Sequence, residues 1–131
     1  MSTNPMLTHG AFSWMEHQGN APKQAQEFYR NVLGWDVVDA PMSDGSTYPI
    51  IQIGDQKLGG FQAQENGQAS WMPYVTVDDV DKRIETARQA GAQILAEPFT
   101  LPGVGRMATF ADPNGAQLAL ISYEQPEESQ A

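Results

Sequence analysis

Apolar positions along the chain fall into two rounds of one pattern. Residues 11–18 (AFSWMEHQ) read as a strand. Residues 22–33 (PKQAQEFYRNVL) read as a helix, because Ala25, Phe28, Tyr29, Val32 and Leu33 recur at steps of three and four. Pro22 suits the first turn of that helix and Gly34 its stop. Strands follow at 35–41, 47–53 and 57–63, set apart by the turn signals Ser43-Asp44-Gly45 and Gly54-Asp55. The order then repeats. Residues 71–77 read as a strand and 79–90 as a helix, with Asp78 or Asp79 at its N-cap and Gly91 as its stop. Strands follow at 92–97, 105–111 and 117–123, the last two joined by Asp112-Pro113-Asn114-Gly115, a hairpin signal.

The two rounds superpose at an offset of about 58 residues, which sets Glu16 against Tyr74 and Trp14 against Met72. The repetition is one of pattern and not of letters. A single βαβββ unit would leave a sheet face uncovered. The pattern therefore predicts an α+β fold in one domain, with two paired βαβββ modules at about 10–65 and about 70–123. Together they form a curved mixed sheet around a cleft, with the helices outside. Residues 1–9 and 124–131 are expected to be flexible tails.

Composition narrows the partners. The 131 residues are 40% apolar, enough for a core, and include no cysteine, which excludes disulfides, thiolate metal sites and a cysteine nucleophile. The absence of cysteine fits a cytoplasmic setting. With 16 acidic and 7 basic residues the formal charge is -9. Lys and Arg form no cluster that could replace the counterions of a nucleic acid, and the same charge repels an anionic membrane surface. The sequence holds no apolar run of the ~20 residues a membrane helix requires. Met1 to Thr8 lacks the basic and apolar regions of a signal peptide.

Among the polar side chains Glu16 stands out, because strand parity puts it on one face with Trp14 and Gln18. A carboxylate among apolar groups can act as a base or ligand anchor, or be held by Arg106 or a tyrosine hydroxyl. Tyr74, its counterpart in the second round, is the candidate acid partner or a core tyrosine. Trp14 and Tyr48 are expected to wall the pocket, with Phe61 beside them. Trp71 has the opposite parity to Tyr74. Arg106 offers a fork for an anionic ligand or a structural ion pair, while Arg30, Arg83 and Arg88 read as solvated helix residues. Asp78, Asp79 and Asp81 read as helix-capping carboxylates. Gly59-Gly60 marks a bend or bulge in its strand. Of the two histidines, His9 lies in the lead-in and His17 points away from Glu16, so a two-His-one-carboxylate metal site would need both histidines and a fold that brings the tail inward.

The stretches FYRNVLGW (28–35), WMPYVTVDDVD (71–81) and GRMATFADPNGAQLALI (105–121) resemble the vicinal oxygen chelate superfamily, which includes glyoxalase I, bleomycin-resistance proteins and extradiol dioxygenases. The likeness runs from about Gly10 to Tyr123 and implies the paired βαβββ fold. Members that use a metal place His, Gln or Glu at positions that fall on Trp14, at or beside Met72, near Gly60 or Phe61, and on Ala119 in this chain. None of these is a useful ligand, so the resemblance points to a divergent member without metal or other cofactor.

The expectation is a metal-free protein that binds a small organic molecule in the cleft between the modules, similar to the bleomycin-resistance branch. Trp14, Glu16, Tyr48, Phe61, Met72, Tyr74, Arg106 and Ala119 are its candidate ligand contacts. The resemblance also implies a homodimer. The alternative is a metal-independent lyase or isomerase with Glu16 and Tyr74 as catalytic base and acid. A metal-dependent glyoxalase or dioxygenase is the third reading, and the missing ligands argue against it.

Overall fold

The computed structural model describes residues 4–65 and 67–124, which fall into two compact units. One comprises residues 14–73, the other residues 4–13 with 74–124. The tail positions Glu127 and Glu128 lie outside the described residues. Both units realise the predicted order, strand, helix and three strands, which makes the fold α+β.

In the first unit β1 (Phe12–Gly19, its first two residues belonging to the other unit) leads into α1 (Pro22–Leu33). The strands β2 (Asp36–Pro41), β3 (Thr47–Ile53) and β4 (Gln56–Ala63) follow. The sheet order is β2-β3-β4-β1, antiparallel except for the parallel pair of β4 with β1. Helix α1 starts at Pro22, whose missing N–H costs nothing in a first turn, and stops at Gly34 in the left-handed region at φ 73°. Ala25 and Tyr29 turn toward the sheet, whereas Phe28 and Val32 stay 56% and 58% exposed on the helix flank. The five-residue apolar stripe expected for this helix is thus only partly covered. Its sheet side is aromatic: Tyr29 stacks on Trp35 and meets His17, Phe61 and Trp71, and the Trp71 indole donates to Tyr29 Oη at 3.3 Å.

The second unit repeats this plan with β5 (Ser70–Thr76, its first four residues counted in the first unit), α2 (Val80–Gln89), β6 (Gln93–Leu101), β7 (Gly105–Ala111) and β8 (Gln117–Tyr123). Its order is β5-β8-β7-β6, with β5 parallel to β8. Val77, Val80, Ile84, Ala108 and Leu120 make the core beneath α2. Asp79 caps α2 by accepting from the Lys82 N–H at 3.1 Å. Asp78 and Asp81, also read as caps, are instead held by Arg83 and Arg106. Arg88 pairs with Glu85 and Glu97, so neither Arg83 nor Arg88 is merely solvated.

Two departures from expectation exceed the one-residue shifts at other element ends. β6 runs on to Leu101, where the sequence pattern ends a strand at 97, because two register shifts let it keep pairing past Pro98. Part of the N-terminal lead-in is also built: Pro5–Leu7 forms a 3-10 turn capped by Asn4, and His9 Nδ1 accepts from the Asp78 N–H at 3.0 Å. No helix among the described residues is long and apolar enough to cross a membrane.

Candidate functional site

Strand alternation sorts β1 into two sets of side chains. His17 faces α1, opposite Phe61 on β4, and packs against Tyr29, Phe61 and Trp71. Its Nδ1 is buried with no hydrogen-bond partner among the described residues, and burial lowers its pKa. Trp14, Glu16 and Gln18 turn to the other face.

Glu16 is buried, 5% exposed, and sits at the centre of a network built within the first unit. Tyr48 Oη donates to Glu16 Oε2 at 2.7 Å, and Gln18 Nε2 donates to Oε1 at 2.8 Å. The Trp14 indole N–H donates to Tyr48 Oη at 3.1 Å, with the two rings close to parallel at 24°. Opposite Glu16 on β4 stands Gly60. A Cβ there would collide with Oη, Cζ and Cε2 of Tyr48, so the absent side chain is what admits the phenol end. Ile50 and Val38 continue the same register across β3 and β2, and Val38 is exposed. The result is a polar centre beside an apolar strip. Gln18 spends one amide N–H on Glu16, which leaves its second N–H and its carbonyl for a ligand.

The expected site residues divide accordingly. Trp14, Glu16 and Tyr48 come together, and Glu16 is held by a tyrosine hydroxyl. Phe61 does not join them: it pairs in register with His17 and packs on the α1 side. Met72 is buried on β5 in the same unit. In the second unit Tyr74 and Ala119 are buried register partners. Arg106 is not a free fork. Its Nε and Nη2 donate to Asp81 at 2.7 and 2.8 Å, and Nη1 donates to Thr100. It shares parity with Ala108 in the α2 core, away from the face of Ala119, and that parity was readable from the sequence. Gly59-Gly60 is only partly a bulge signal. The irregular pairing falls at Ile51/Gln52, opposite the Lys57–Gly59 stretch, while Gly60 serves the Tyr48 contact.

Sequence reasoning passed over Gln18 as a ligand contact, although its parity with Glu16 was the signal. It also missed a hydroxyl chain in the second unit. There Thr76 Oγ1 donates to Ser13 Oγ at 2.8 Å, and Ser13 lies 2.8 Å from Tyr123 Oη. Burial pushes the Tyr123 pKa up. Ser13 and Tyr123 are 110 residues apart, and no local pattern links them.

A family model described as a glyoxalase-like domain matches residues 15–121. The chain belongs to the glyoxalase-like domain family. It is therefore a member of the vicinal oxygen chelate superfamily, as the sequence motifs imply. It is 33% identical over 114 residues to the Mycobacterium tuberculosis protein named "Putative glyoxylase CFP32", covering 86% of this chain and 44% of that one. It is 31% identical to the anthracycline biosynthesis protein DnrV of Streptomyces peucetius, over 85% of this chain and 46% of the relative. The chain thus spans less than half the length of these relatives. The Streptomyces coelicolor methylmalonyl-CoA epimerase superposes with a TM-score of 0.62 at 18% identity, covering 90% of this chain and all of that one. That likeness is one of fold.

Metal-using members of the family need several nitrogen or oxygen ligands converging on one point. The positions to which the resemblance assigns ligands hold, in the first unit, the Trp14 indole, Gly60 or Phe61, and the Met72 thioether, and in the second unit the Ala119 methyl. Among the described residues no group of three His, Cys, Asp or Glu side chains comes together. The Glu16 carboxylate is engaged by Tyr48 and Gln18. These residues do not fit a resident divalent ion.

Proposed function

We propose that the protein binds a small, partly aromatic or amphipathic organic molecule on the Glu16 face of its first unit without a metal. The observation that carries this is the Trp14–Tyr48–Glu16–Gln18 network: one buried carboxylate organises a tyrosine hydroxyl, an indole and an amide beside the apolar Val38–Ile50 strip. The donors and the strip match the two halves of an amphipathic ligand. Glu16 acts as the anchor, while Gln18 meets the ligand. The test is a thermal-shift screen of chelator-treated protein against small aromatic and amphipathic compounds. Hits are then titrated into Gln18→Ala and Glu16→Gln. A hit whose affinity is unchanged in both variants binds elsewhere and removes the proposal.

A second reading is metal-independent lyase or isomerase chemistry. The 2.7 Å contact of the Glu16 carboxylate with the Tyr48 hydroxyl favours it, since a carboxylate and a phenol in contact are a base and an acid. Here Tyr48 is the acid beside Glu16, where the sequence pattern nominated Tyr74. Turnover lost in Glu16→Gln while ligand binding persists would favour this reading over simple binding.

A further inference from the structure

From the geometry around Gly60 we infer that the Glu16 face contains a phenol-recognition cradle, occupied in this structure by the chain's own Tyr48, and that the ligand class it selects is the hydroxyaromatic. The inference deepens the proposed function and rests on the Glu16 face being the ligand face. A phenol hydroxyl has one proton to give and lone pairs to receive. Both needs are met at Tyr48: Oη donates to the buried Glu16 carboxylate at 2.7 Å and accepts from the Trp14 indole at 3.1 Å. The ring end lies on Gly60, where any Cβ would collide with Oη, Cζ and Cε2, so β4 is cut away where a phenol must lie flat. Gln18 fixes the carboxylate from its other oxygen at 2.8 Å, which aims Oε2 at the hydroxyl. Such a site disfavours a molecule that lacks the hydroxyl, because the carboxylate and the indole would each lose a hydrogen bond. Tyr48 is the second residue of β3, close to the turn at Ser43–Gly45, whereas Glu16 and Gly60 face each other in the β1–β4 pair. An incoming phenol takes the place of the Tyr48 ring, and Tyr48 acts as a built-in competitor.

Truncation to Tyr48→Ala empties the cradle, and phenol with benzene as its isostere are the probes. Calorimetry and melting should show phenol binding Tyr48→Ala about tenfold or more tighter than benzene does, and raising its melting temperature saturably. The wild-type protein should bind phenol more weakly than the variant, because Tyr48 competes. The double variants Tyr48→Ala/Gly60→Val and Tyr48→Ala/Glu16→Gln should lose the preference for phenol. Should Tyr48→Ala fail to fold alone, its refolding yield is compared with phenol and with benzene, and recovery in phenol only supports the cradle. Equal effects of phenol and benzene, no recovery in either, or wild-type binding as tight as the variant's would overturn it. A failed compound screen on the wild-type protein with a phenol-selective Tyr48→Ala would instead remove the functional reading and leave the cradle standing.

Discussion

At the scale of single residues, Glu16 and His17 show how one peptide bond divides two environments. Glu16 turns to the face with Tyr48 and Gln18, while His17 sits among aromatic rings beneath α1. Burial holds the His17 pKa below its ordinary 6.5, so the unfolded chain takes up a proton that the folded chain does not. By linkage, that contribution to stability is complete above about pH 6.5 and is lost as the pH falls below it. Melting curves between pH 7.5 and 5 should therefore descend more steeply for the wild-type protein than for His17→Phe; parallel curves would contradict this. Gly60 gives a second prediction at this scale. Gly60→Ala overpacks Tyr48 and should cost about 1–3 kcal/mol in denaturant unfolding. Combined with Tyr48→Ala, which removes the clash, the two changes should be clearly non-additive.

At the scale of elements, much of the structure was legible. The α1, β3, β7 and β8 boundaries are as the apolar periods and turn residues predict, because Pro22, Gly34 and the Asp112–Gly115 turn punctuate the chain by local chemistry. What escaped was decided by contacts remote in sequence. β6 outran its pattern by pairing with β7 through two register shifts. Which of the apolar α1 residues are covered depends on the sheet beneath them. Trp14, Glu16 and Tyr48 could be grouped from parity, but the role of Gly60 required knowing that Tyr48 crosses it. Arg106 belongs to this scale as well, since it ties the start of β7 to Asp81 on α2. Arg106→Gln should leave the affinity for any ligand of the Glu16 face unchanged, as read by titration of the same hit into both proteins. Asp79→Ala should remove the α2 cap and lower stability by about 1 kcal/mol in denaturant unfolding.

For the molecule as a whole, two units repeat one strand order, yet their polar residues are not equivalent. The first carries a carboxylate organised by a phenol, an indole and an amide; the second carries a Thr76–Ser13–Tyr123 hydroxyl chain. At the positions where the resemblance places metal ligands, this chain has indole, thioether and methyl groups. On the proposed reading the ligand is held on the Glu16 face by Glu16 and Gln18, without an ion. The most direct measurement is a calorimetric titration of chelator-treated protein with Mn(II), Ni(II) and Zn(II) in turn, repeated on Glu16→Gln. No stoichiometric uptake that distinguishes the two proteins is expected. One ion bound per chain by the wild-type protein and lost in Glu16→Gln would contradict it.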